Sequence, residues 1–215
     1  GDIAGNADLV RAARDEAAAL GADLVTFGEL VLCGYPPEDL VLKSAFQDAV
    51  ADAVTALAAE TADGGPGLLV TAPWRDDGLL YNAVLLLDGG EITAVRYKHD
   101  LPNYGVFDEK RVFAAGPLPG PINFRGIRLG VPICEDIWAP DVCECLVETG
   151  AEILIVPNGS PFEEGKFDVR LNHAVGRVTE TELPLVYVNQ VGGQDELVFD
   201  GGSFVLNGDC SLALQ

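Results

Sequence analysis

A chain of 215 residues, 48% hydrophobic and 22% charged, is long enough to bury a sizeable core, and that balance excludes intrinsic disorder. Its formal net charge of −21 excludes nucleic acid or an anionic membrane as the main partner, because phosphate recognition needs clustered Lys and Arg. No apolar run approaches the roughly 18–20 residues of a membrane span, and five scattered cysteines offer no disulfide framework, which points to a reducing cytoplasm.

The opening Gly1-Asp2-Ile3-Ala4 carries no leader pattern and no starting Met, so the natural start is expected upstream. Leu9, Ala13, Ala17 and Leu20 recur on one face and predict a helix that stops at Gly21. Phe46, Val50, Val54 and Leu57 predict a second helix, opened by Ser44 and Gln47 as a capping box. A short helix is expected from about Pro140 to Glu148, ending at Gly150. Phe167, Leu171, Ala174, Val175 and Val178 mark the last. Apolar runs of strand length occupy 23–27, 67–71, 80–87, 91–97, 127–133, 152–156, 184–189 and 202–206. Asp88-Gly89-Gly90 between two of them reads as a hairpin turn. Leu68-Leu69-Val70 and residues 152–156 are apolar at nearly every position, the pattern of strands covered on both faces. Helices and strands alternate without a linker or repeat, which predicts one layered α/β domain over 1–215 with a mixed sheet.

Three of these runs lead into a residue capable of chemistry: 23–27 into Gly28-Glu29, 91–97 into Lys98, and 127–133 into Cys134. Sites in α/β sheets gather beyond the carboxyl ends of strands. A thiol with a pKa near 8.5 is a few per cent thiolate at neutral pH. A carboxylate such as Glu29 can take its proton. An ammonium such as Lys98 can stabilise the thiolate or a substrate oxyanion, helped by the backbone N–H after the nucleophile. On this reasoning alone, a Cys closing a strand is more often a small buried apolar group.

The words around these residues carry more. Gly28-Glu29-Leu30, Gly34-Tyr35-Pro36-Pro37-Glu38-Asp39-Leu40, residues 98–111 (KHDLPNYGVFDEKR), Ile133-Cys134-Glu135-Asp136-Ile137-Trp138, Asn158-Gly159-Ser160-Pro161-Phe162 and residues 187–201 (YVNQVGGQDELVFDG) run in order through the chain. Together they resemble the nitrilase superfamily, and within it the glutaminase domains of glutamine-dependent NAD synthetases. The resemblance implies Cys134 as nucleophile, Glu29 as general base, Lys98 as catalytic lysine and Glu109 as the second glutamate that orients the lysine. Tyr35 is then expected beside the base, with Tyr104, Ser160 and Lys166 holding glutamine. The implied reaction is thiolate attack on the side-chain amide, loss of ammonia and hydrolysis of a glutamyl thioester. The implied fold is a nitrilase-like α-β-β-α sandwich, four-layered with mixed sheets through pairing of protomers, hence a homo-oligomer. No cofactor is expected in this domain. ATP and Mg²⁺ belong to a synthetase domain that amidates nicotinate adenine dinucleotide, and no loop of that domain occurs within 1–215. The other readings of the same residues are an amidase for another small amide, or an inactive assembly module.

Three departures stand out. Gly28 replaces the family's usual Pro, which is expected to loosen Glu29. Gly159 replaces a common Ala. The family's first core strand precedes the segment equivalent to Gly1–Asn6, so this chain is expected to lack it. Remaining residues read as structural. Cys143 and Cys145, two apart on a helix, do not share a face for zinc. Cys33 and Cys210 are packing residues, and His99 and His173 are not needed by a glutamate-based mechanism. Asp195, Glu196 and Asp200 are expected in loop and pocket structure rather than at a metal.

Overall fold

In a computed structural model describing residues 1–215, the chain divides into two compact units, 1–97 with 102–115, and 98–101 with 116–215. In the first unit, α1 (Ile3–Ala19) starts at Asp2, whose carboxylate accepts from the Gly5 N–H at 2.9 Å. The buried face differs from the expected one: Ala7, Val10 and Arg14 face inward, while Leu9 and Leu20 are exposed. The reason is Arg14, which an apolar pattern does not count. Its stem is buried and its head donates to Pro66 O at 2.8 Å and to both carboxylate oxygens of Asp63.

Strand β1 (Leu24–Thr26) pairs in parallel with β2 (Gly67–Asp76); β3 (Leu79–Asp88) and β4 (Glu91–Tyr97) follow antiparallel, giving the order β1-β2-β3-β4. Gly89 and Gly90 sit at φ +63° and +92°, the left-handed pair that a tight β3–β4 turn requires. Helix α2 (Ser44–Glu60) buries Val50, Val54 and Leu57 and packs on β2. Its expected capping box does not form. Lys43 is the N-cap, Ser44 lies inside the helix, and the Gln47 amide donates instead to Val41 O at 2.7 Å. Leu68, Leu69 and Val70 are fully buried, as a run without alternation predicts. A one-turn helix, α3 (Glu109–Val112), completes this unit.

The second unit is a six-stranded mixed sheet, β12-β11-β8-β7-β6-β5. Its strands are β5 (Ile122–Phe124), β6 (Ile127–Gly130), β7 (Ile153–Asn158), β8 (Leu185–Asn189), β11 (Phe204–Leu206) and β12 (Leu212–Leu214). Helices α4 (Asp141–Glu148) and α5 (Lys166–Thr181) supply Val142, Cys143, Leu146, Ala174 and Val178 to one core with Leu154, Val156, Leu185, Tyr187 and Phe204. Strands β5 and β12 lie outside the expected apolar runs. Strand β6 stops at Gly130 rather than 133, because Pro132 has no N–H for a ladder. The 191–201 word, expected as loop, is a hairpin: β9 (Val191–Gln194) and β10 (Leu197–Asp200) pair antiparallel around Asp195-Glu196. No helix is long and apolar enough to cross a membrane.

Candidate active site

Glu29 lies three residues beyond β1 and is fully buried. The parallel register aligns Thr26 with Leu69, so Thr71 of β2 sits beside the loop that follows β1. The Thr71 hydroxyl donates to Gly28 O at 2.5 Å and accepts from the Val31 N–H at 3.0 Å. One side chain thus ties the backbone on both sides of Glu29, and the flexibility expected from Gly28 is restrained. Leu30 adds a left-handed φ of +51°, and its carbonyl accepts from the N–H groups of Cys33 and Gly34. The carboxylate itself is gripped by Asn82 of β3, whose amide donates to Glu29 Oε1 at 2.7 Å. The same amide reaches Glu109 Oε2 at 3.4 Å, and the Tyr35 hydroxyl donates to Glu109 Oε1 at 2.8 Å.

Three predicted residues of the first unit, Glu29, Glu109 and Tyr35, therefore share one buried network, and Asn82 is its link. Tyr35 bonds to Glu109, and with Phe107, Glu109 and Phe113 it lines a small cleft. Tyr104 is half-exposed, its ring edge-on to Phe107 at 5.5 Å.

In the second unit, Lys98 is fully buried and Cys134 nearly so. Cys134 opens a 3-10 turn, Cys134–Ile137, at φ +48°. A non-glycine residue there costs about 1 kcal/mol or more, and such strain is typical of a nucleophile presented on a sharp turn. Asp136 holds the turn in place. Its Oδ2 accepts from the Ile133 N–H at 2.9 Å, and its Oδ1 accepts from the N–H groups of Asp100 at 2.7 Å and His99 at 3.1 Å. One carboxylate thus fastens the residue before Cys134 to the residues after Lys98. Burial pushes the Asp136 carboxyl up to about 7, against the opposing pull of those N–H donors and the Lys98 charge. His99 donates from Nδ1 to Gly116 O at 2.7 Å, a structural tether of the same segment.

Ser160 follows β7. Its N–H donates to Asn189 Oδ1 at 2.9 Å and its hydroxyl accepts from Arg170 Nε at 3.0 Å. Arg170, almost completely buried, also donates to Ser160 O, Pro161 O and Asp200 Oδ1. Lys166 places Nζ 5.5 Å from the Trp138 ring centre and 3.1 Å from Glu163 Oε2, next to the turn that carries Cys134. His173 stacks on the Trp138 ring, with centroids 4.1 Å apart, and burial lowers its pKa. Burial pushes the thiols of Cys33 and Cys143 up to about 12, holding them as neutral packing groups. No group of three or more His, Cys, Asp or Glu is arranged to hold a metal ion.

Sequence reasoning missed Thr71, Asn82, Arg170 and the roles of Asp136 and Asn189. The available signal was polarity out of place: Thr71 and Asn82 interrupt apolar strands, and Arg170 shares a helix face with Ala174 and Val178.

Mixed sheets flanked by helices in both units define a protein of α/β architecture. The carbon-nitrogen hydrolase family model matches residues 1–215, and the chain belongs to that family. It is 50% identical over 216 residues to a glutamine-dependent NAD(+) synthetase of Rhodobacter capsulatus, covering 100% of this chain and 39% of that protein. It is 41% identical to the Xanthomonas campestris pv. campestris enzyme of the same name, covering 94% and 36%. The chain thus spans about two fifths of the length of these relatives. Among solved structures, the glutamine-dependent NAD+ synthetase of Acinetobacter baumannii, in complex with ADP, superposes with a TM-score of 0.94 at 36% identity, over 100% of this chain and 40% of that one. An amidase from Nesterenkonia sp. AN1, in which acrylamide has added to the active-site cysteine, matches at 0.84 with 27% identity, over 98% and 82%. The fold is the nitrilase-like one expected from sequence.

Proposed function

We propose that this chain is a glutamine amidohydrolase unit spanning residues 1–215, releasing ammonia for the amidation of nicotinate adenine dinucleotide to NAD. The observation that carries the reading is Cys134 itself, a buried thiol on a left-handed turn pinned by Asp136, in a chain 50% identical to a glutamine-dependent NAD(+) synthetase. Cys134 Sγ attacks the carbon of the glutamine side-chain amide while Glu29 takes the thiol proton. Lys98 and the N–H following the nucleophile stabilise the oxyanion. The C–N bond then breaks, Glu29 returns the proton to the departing nitrogen, and ammonia leaves. Water attacks the thioester, with Glu29 again as base, and glutamate is released. Glu109 serves as the supporting carboxylate. Tyr35, Tyr104, Ser160 and Lys166 are assigned to holding glutamine.

The ammonia is assigned to a synthetase partner domain using ATP and Mg²⁺; no residue of 1–215 is assigned to either. A cytoplasmic homo-oligomer is the corresponding assembly. Ammonia release from glutamine, measured against a panel of aliphatic amides, tests the reading. Preference for glutamine, lost in Cys134→Ala, is expected. Preference for an aliphatic amide favours the amidase reading that the Nesterenkonia likeness keeps open.

A further inference from the structure

Asn82 is an anomaly in its strand. Its neighbours in β3, Ala83, Val84, Leu85, Leu86 and Leu87, are buried and apolar, and Asn82 is as completely buried as they are. Its carbonyl oxygen Oδ1 is buried with no hydrogen-bond partner, and an unsatisfied buried acceptor costs about 1–3 kcal/mol. A residue kept only to fill the strand would lack that penalty. What Asn82 supplies instead is its amide N–H₂ group, set between two buried carboxylates.

The orientation of the amide follows from chemistry. An ionised carboxylate only accepts hydrogen bonds, so the nitrogen and not the oxygen of Asn82 must face Glu29 and Glu109. The two contacts are unequal, 2.7 Å to Glu29 Oε1 and 3.4 Å to Glu109 Oε2. Glu109 has the Tyr35 hydroxyl at 2.8 Å on its other oxygen. The main grip of Asn82 is therefore on Glu29. Thr71 fixes the backbone around Glu29 but leaves its side-chain torsions free; Asn82 acts at the far end, on the carboxylate.

We infer that Asn82 is a positioning residue for Glu29, holding Oε1 so that Oε2 is the oxygen that exchanges the proton with thiol and leaving nitrogen. The inference rests on the acid–base role proposed above for Glu29. Catalytic groups must be held to within about 0.5 Å, and a misplacement of about 1 Å costs on the order of 100-fold in rate. The step that depends on it most is delivery of the proton to the departing nitrogen, because an amide nitrogen cannot leave without one.

That dependence supplies the test, made on the intact protein. Asn82→Leu keeps the branched shape and removes the donor, and Asn82→Ala removes it by truncation, so either folded variant serves. Two substrates are compared by kcat/KM: glutamine, whose nitrogen must be protonated to leave, and a glutamate γ-thioester, whose thiolate leaves without a proton. We expect glutamine hydrolysis to fall about 100-fold and thioester hydrolysis to fall less than about tenfold, the minimum contribution expected of one general acid being lost only from the first. Equal falls on both substrates, or glutamine hydrolysis within about threefold of wild type, overturn the inference. The two failures are distinguishable. A wild-type protein that hydrolyses the thioester but not glutamine removes the glutaminase reading and this one with it, whereas an active wild type with leaving-group-blind variants removes only the role of Asn82.

Discussion

Replacing Thr71 by Val leaves the shape of β2 unchanged and deletes a single oxygen, the one that accepts from the Val31 N–H at 3.0 Å and donates to Gly28 O at 2.5 Å. Thr71 and Gly28 are buried and Val31 is half-buried. An unsatisfied buried group costs about 1–3 kcal/mol, so two such groups, one partly hydrated, predict a loss of roughly 2–4 kcal/mol for Thr71→Val. Thr71→Ser is the control: it keeps the hydroxyl and loses one methyl group, about 0.5–1.5 kcal/mol by the cost of comparable core truncations. Urea unfolding reads both. With a slope on the order of 2 kcal/mol/M, Thr71→Val should lower the midpoint by roughly 1–2 M and Thr71→Ser by less than about 1 M. The loop so released carries Glu29, so glutamine turnover should fall in Thr71→Val and recover in Thr71→Ser. If the valine variant is as stable as the serine variant, or more so, the clamp does not hold the loop and the reasoning is wrong.

Cys134→Ala should abolish glutamine hydrolysis with stability within about 0.5 kcal/mol of wild type, since it keeps a Cβ at φ +48°. Cys134→Gly, freed of that strain, should be equally inactive yet more stable by about 1 kcal/mol in urea unfolding. Asp136 has its carboxyl raised from 3.8 to about 7 on folding, chiefly by burial. The folded state therefore binds this proton more tightly than the unfolded chain does, and the stability it contributes is full below about pH 4 and lost as pH rises through about 7. Subtracting the stability of Asp136→Asn from that of wild type should give a difference that falls across this window; a flat or rising difference contradicts it. Arg170→Lys should destabilise by about 3–5 kcal/mol, as breaking a buried charge network does. One ammonium cannot reproduce the fork that serves Ser160 Oγ, Ser160 O, Pro161 O and Asp200 together. A thermal midpoint unchanged from wild type would show those contacts to be dispensable.

Local features of this protein were legible in its sequence where the rule concerned was local. The Asp88-Gly89-Gly90 turn follows from two residues that accept positive φ, and α5 follows from an apolar stripe that its core contacts reproduce. Glu29 and Lys98 could be placed at strand ends because an apolar run of strand length stops just before each. Where a side chain answers to a distant partner, pattern reading failed. Leu9 looked like core, but Arg14, bonded to Asp63 some 49 residues away, takes the inner face. Even a near partner can compete: Ser44 and Gln47 had the right spacing for a capping box, yet the Gln47 amide bonds Val41 O six residues back. Asn82 meets Glu29 across 53 residues of chain. That contact exists only once β3 pairs with β2 in the observed register, so no local pattern encodes it. The 191–201 word was legible as a family signature but not as a hairpin, since Gly192 and Gly193 supply no alternation.

The account stands on Cys134 acting as the nucleophile toward glutamine. The most direct measurement is mass spectrometry of the intact protein after reaction with a glutamine-like diazoketone, with and without excess glutamine. The partly exposed Cys145 and Cys210 serve as internal controls. The account predicts one adduct, on Cys134, formed in step with loss of ammonia release and prevented by glutamine. An adduct on another cysteine, or labelling of Cys134 that glutamine does not slow, would contradict it.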